Sequence, residues 1–104
     1  MSLRLLSKAR DLLGRGWDRQ GPALGIGGRR VEARNAEAQA WSLFGALAAA
    51  GRPMSADWDG AVRKLMEVTG EPSPLDLLNW SESAARTQDE VLGALEAACR
   101  AYLG

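Results

Sequence analysis

The side chains that most often do chemistry are scarce in this chain. Its 104 residues include no histidine, which removes the commonest general base and the commonest transition-metal ligand. The one cysteine, Cys99, rules out an internal disulfide and a structural zinc site of the usual kind. Cys99 also falls on the apolar stripe of a predicted helix. A thiol there is inert, because reactive cysteines need an accessible, electropositive setting. Glu67, Glu71, Asp76 and Glu82 would make an acid–base set only if the fold brought them together, and carboxylates are common on helix surfaces. Asp57 and Asp59 are spaced like a metal pair, but no further ligands follow at calcium-loop spacing. Both fall in the first turn of a predicted helix, where carboxylates oppose the positive end of the helix dipole. The expectation is a protein that is not an enzyme, with no catalytic residue, metal or cofactor.

The glycines of residues 21–28 raise the possibility of a phosphate cradle. Their spacing is neither that of a P-loop nor that of a dinucleotide fingerprint, and no strand–helix unit surrounds them. A structural turn is the better expectation.

What remains is recognition. Residues 1–34 carry eight basic side chains against three acidic ones, and the remainder carries five against ten. The formal charge is zero overall, but the two halves are +5 and −5. Arg15, Arg19, Arg29, Arg30 and Arg34 supply most of the basic half. On a glycine-tipped turn they could follow phosphates, so nucleic-acid binding is an alternative function. Against it stand the zero net charge and the lack of a helix-turn-helix signature. Four tryptophans (Trp17, Trp41, Trp58 and Trp80) stand beside a single Phe and a single Tyr. Tryptophan is chiefly a core residue, and Trp41 and Trp80 are expected there. Tryptophan and arginine also concentrate binding energy at interfaces. Trp17 and Trp58, flanked by charge, are therefore the candidates for partner contact, together with Arg19, Arg29, Arg30, Arg34 and Glu82. The leading expectation is a non-catalytic protein-interaction or regulatory module, with self-association open. A second alternative is a carrier for a small apolar ligand, with a pocket under Trp41 and Trp80.

The elements that position these residues are mostly helical. Alanine and leucine dominate the apolar set, a bias toward helix. Residues 1–104 are of a length for one domain. Ser2 to about Leu13 repeats Leu5 or Leu6, Ala9, Leu12 and Leu13 on one face, and Gly14 and Gly16 end the helix. Leu24 and Ile26 alternate with glycine before Gly27-Gly28, so residues 22–32 form a Gly-rich turn or a marginal β-hairpin. Asn35 is the expected cap of a helix over Ala36 to Ala50, apolar almost all round and so central. Ser55 caps a helix reaching Thr69. Ser73-Pro74 opens a short helix of one or two turns leading to Trp80. Thr87 and Glu90 form a capping box for the last helix. The expected fold is all-α: a compact bundle of four main helices plus one short helix. Nothing resembles a signal peptide or a membrane span, and a cytoplasmic location is expected.

Three tryptophan-centred segments occur together: Gly16-Trp17 with Gln20-Gly21, then Trp41-Ser42-Leu43-Phe44-Gly45-Ala46-Leu47, then Trp80 through Leu92. In this order they resemble a family of small uncharacterised proteins of bacteria and phages, a domain of unknown function. Its members usually end in a pattern like Trp-Asn-Asp, a few residues, Arg-Thr, two residues, Glu-Val-Leu. The resemblance spans roughly residues 3 to 102 and makes Trp41, Trp80, Arg86, Thr87 and Glu90 a structural signature. Here Ser81-Glu82 stands where the family tends to have Asn-Asp, and Ser42 where it often has cysteine. A function needing that amide or that thiol is called into question by these changes.

Overall fold

The computed structural model describes residues 2–19 and 21–103. Within them are five α-helices and three two-residue strands, so the expected helical bundle is accompanied by a small sheet. The order is α1 (Ser2–Arg15), β1 (Ala23–Leu24), a short 3-10 turn (Ile26–Gly28), β2 (Arg30–Val31), β3 (Ala40–Trp41), α2 (Leu43–Ala50), α3 (Ala56–Thr69), α4 (Pro74–Glu82) and α5 (Gln88–Leu103).

α1 is the central helix. Leu5, Leu6, Ala9 and Leu13 are buried, and the helix packs against α2, α3 and α5. It runs past Gly14, which opens onto free space, and stops at Gly16. The residues of the marginal hairpin do pair: Ala23 lies opposite Val31 and Leu24 opposite Arg30. Gly27 and Gly28 adopt φ of 72° and 78°, the positive values that the tight turn between them demands.

The sheet exists because β3 joins this hairpin, and this is the main departure from the expected fold. β3 pairs antiparallel with β1, giving the order β2-β1-β3. On its other side, Trp41 N–H donates to the Gly16 carbonyl at 3.1 Å and the Trp41 carbonyl accepts from Asp18 N–H at 3.0 Å. The backbone of Trp41 is thus committed to a sheet and cannot enter a helix. The helix expected over 36–50 is consequently halved, and Ser42, not Asn35, caps it: Gly45 N–H donates to Ser42 Oγ at 3.0 Å. The Asn35 side chain instead accepts from Glu37 N–H and closes a local turn.

α2 is also less central than its composition implies. Leu43, Gly45, Ala46 and Leu47 are buried, while Phe44 and Ala48–Ala50 are only partly covered. Its inner face rests on α1, with a lighter contact to α4. The opposite flank is where the candidate site lies.

The remaining caps follow the sequence. Ser55 Oγ accepts from Trp58 N–H, and Ser73 Oγ accepts from Asp76 N–H ahead of Pro74. Thr87 Oγ1 accepts from Glu90 N–H at 3.2 Å, and Glu90 Oε1 accepts from Thr87 N–H at 3.1 Å, the reciprocal capping box. α4 continues through Trp80 to Glu82, longer than the turn or two expected. Cys99 is buried, its sulfur 4.0 Å from Ser7 Oγ.

Candidate functional site

The residues singled out in the sequence separate into three places. The first is a brace between the end of α1 and the junction of α4 with α5. The Arg86 guanidinium lies over the Trp80 ring, donates from Nε to the Trp80 carbonyl at 2.9 Å, and pairs through Nη1 with Glu90 Oε2 at 2.7 Å. Arg19 lies over the Trp17 ring and donates from Nη2 to the Arg86 carbonyl at 3.1 Å. Gln88 Nε2 donates to the Leu13 carbonyl at 2.8 Å, tying the start of α5 to the end of α1. Trp17 and Trp80 are half-buried in this brace, whereas Trp41 is buried and donates from Nε1 to the Ala33 carbonyl at 2.9 Å. Gln20, part of the first tryptophan-centred segment, lies outside the described residues. Glu90 is held below the usual carboxylate range, first by its hydrogen bond to Arg86 and then by Thr87, against an opposing desolvation.

The second place is the hairpin and its surroundings. Arg30 pairs with Asp18 at 2.6 Å, and Arg29 stands 3.6 Å from Glu37. Arg34 reaches the C-terminal end of α2, donating from Nε to the Ala48 carbonyl and from Nη2 to the Gly51 carbonyl. A guanidinium there satisfies carbonyls that have no helical partner and opposes the negative end of the dipole. Arg19, Arg30 and Arg34 are therefore all held by the chain itself, and the five arginines do not form one free basic strip.

The third place is an apolar groove of about 490 Å³ between α2, α3 and α4. Phe44 and Trp58 form its floor, their ring centroids 6.1 Å apart and tilted by 55°. Val62 and Met66 follow Trp58 on the same face of α3, four residues apart as helical geometry requires. Pro74 and Met54 complete its apolar lining. The polar groups at the groove are Asp59 and Arg63, and no ion pair engages either one among the described residues. A smaller hollow adjoins it and shares Phe44, with Gly45, Ala48, Leu78 and Glu82 around it. Gly45 is required there, since a Cβ would collide with the Pro22 carbonyl.

Of the residues named from sequence for partner contact, the structure brings Trp58 and Glu82 to this groove and its hollow. It places Trp17, Arg19, Arg29, Arg30 and Arg34 elsewhere. The groove is not the pocket expected under Trp41 and Trp80. Phe44, Met54, Met66 and Pro74 join the groove as residues that sequence reasoning does not single out for contact, although the two methionines carry one signal. Two of the three methionines lie within thirteen residues of each other, around the tryptophan flanked by aspartates. Methionine is frequent at adaptable binding surfaces.

Among the described residues, no three of His, Cys, Asp and Glu converge as metal ligands, and no helix is long and apolar enough to cross a membrane. No curated protein and no solved structure matches the chain. A family model does match, over residues 2–101: the chain belongs to the Family of unknown function (DUF6197).

Proposed function

We propose that this protein is a non-catalytic protein-interaction module that docks a segment of a partner protein in the groove floored by Phe44 and Trp58. The observation that carries this reading is the groove itself: a half-buried aromatic pair, two methionines and a proline facing solvent together, with charge only at the margin. Contiguous apolar surface of this kind marks interaction sites. A small-molecule site would bury most of its ligand, whereas Met54 and Pro74 here stand exposed. The absence of histidine from the sequence and the burial of Cys99 favour binding over catalysis.

Nucleic-acid binding is less well supported. Arg19, Arg30 and Arg34 are engaged within the chain, so a phosphate backbone would have to break those contacts first.

The test is a photo-crosslinking amino acid placed at position 54, at the groove, and at position 96 on α5, away from it. In cells of the source organism, a discrete protein adduct from position 54 and none from position 96 is the expected result. No adduct from either position, or equal adducts from both, contradicts the proposal.

A further inference from the structure

We infer that the groove takes a basic amphipathic helix, an inference that rests on its being a protein-docking surface. Charge is the first reason. α3, α4 and their link carry six carboxylates (Asp57, Asp59, Glu67, Glu71, Asp76 and Glu82) against Arg63 and Lys64. Lys64 is already paired with Glu67 at 3.0 Å. Asp59 at the groove and Glu82 at the adjoining hollow have no cation partner among the described residues, so they are free to meet one from outside. Arg63 adds register: the partner's basic residues belong opposite Asp59 and Glu82, not beside Arg63.

Shape is the second reason. The groove and the hollow share Phe44, so the apolar floor continues from Trp58 on α3 across Phe44 to Ala48 on α2. The small side chain of half-buried Ala48 lets a partner approach closely, while Gly45 is already covered by Pro22. Two seats on either side of a central ring suit the i, i+3/i+4 anchors of a helix lying in a groove.

Met54 is the third. Ser55 N–H donates to the Arg52 carbonyl at 3.2 Å, closing a turn with Pro53 and Met54 at its centre. Met54 has φ of 67° and is the only described non-glycine residue with positive φ. With Pro before it, this is the turn position that favours glycine. A methionine there is disfavoured locally, and its side chain is 83% exposed at the lip of the groove. Strain of this kind at a binding edge points to use by a partner.

The probes are two synthetic 18-residue helices with the same leucine face, one carrying lysines on its polar face and the other glutamates. Calorimetric titration is expected to show the lysine peptide binding about tenfold or more tightly than the glutamate peptide, with the gap narrowing as salt is raised. Met54→Gly is expected to keep or raise the melting temperature and to weaken the lysine peptide about tenfold, which separates binding from folding. The double variant Asp59→Lys with Glu82→Lys is expected to reverse the preference. Equal binding of the two peptides, or wild-type affinity in Met54→Gly, overturns the inference. If neither peptide binds while the adduct at position 54 stands, the basic helix is wrong and protein docking survives. If the adduct also fails, docking itself falls. Self-association in sedimentation that Met54→Gly abolishes would assign the groove to a second copy and likewise overturn the inference.

Discussion

Arg86 stands 4.3 Å from the centre of the Trp80 ring and donates to the carbonyl of that same residue. The guanidinium is thus fixed by the face of a side chain and by the backbone six residues earlier, and its far edge pairs with Glu90. Sequence distance is short, but the result joins the end of α4 to the start of α5. The planar fork can stack and donate in two directions at once, which an ammonium cannot.

Arg86→Lys should therefore lose stability despite keeping the charge. The expected cost is about 1–2 kcal/mol, from the stack and the hydrogen bonds together. At roughly 4–8 °C per kcal/mol for a domain of this size, thermal unfolding would resolve it. A Lys variant that melts with the wild type would show that the stack does not stabilise the fold.

Trp41 and Trp17 should respond differently to the same change. Trp41 Nε1 donates to the buried Ala33 carbonyl, while Trp17 Nε1 is shut off from solvent and finds no acceptor among the described residues. Trp41→Phe leaves that carbonyl without its donor and is expected to cost about 1–3 kcal/mol beyond the lost ring area. Trp17→Phe removes an unpaired donor and should cost clearly less. Denaturant midpoints for the pair give the comparison, and equal losses would contradict it.

Gly45→Ala should destabilise in spite of the higher helix propensity of alanine. The added Cβ meets the Pro22 carbonyl, which is backbone and cannot swing aside. Forcing a fit in such a place costs about 1–3 kcal/mol. An increase in melting temperature would mean that the chain at Pro22 yields freely.

The capping box gives stability a pH dependence of known sign. Glu90 has its pKa lowered in the folded state, chiefly by Arg86 and then by Thr87. Its contribution is therefore present above the unfolded value near ~4.3 and is lost as pH falls through the lower folded value. The melting-temperature gap between wild type and Glu90→Gln should be open at neutral pH and close in acid. A gap that stays unchanged into strong acid, where the carboxyl is protonated in both states, would exclude this origin. Thr87→Ala should cost on the order of 1 kcal/mol at neutral pH, as N-cap losses do.

Much of the fold was legible because local chemistry decided it. Ser55, Ser73-Pro74 and the Thr87–Glu90 pair each form the cap their types and spacing specify. The helix over 36–50 was misplaced because its hydrophobicity is real but its first half is taken by a sheet. Trp41 pairs with segments 18 and 24 residues earlier in the chain, and no local period reveals that. Ser42 is as good a cap as Asn35, and tertiary pairing chose between them. Ser81 and Ser83 both serve the end of α4: Ser81 Oγ donates to the Leu78 carbonyl, and Ser83 Oγ accepts from Ala85 N–H. The candidate site was half legible. Trp58 and Glu82 were found by their type and charge, but Phe44 and Met54 reach the same groove from different elements, and only the packing of α2 on α1 shows which flank of α2 is left open.

The most direct measurement of the central claim is a map of backbone amide shifts during titration with the lysine-faced peptide. The changes are expected to centre on Phe44, Trp58 and Met66, with Trp58 Nε1–H among the largest, while Arg15, Arg29 and Arg30 stay unmoved. Changes centred on the hairpin and α1, with the Phe44–Trp58 groove silent, would contradict a docking role for the groove.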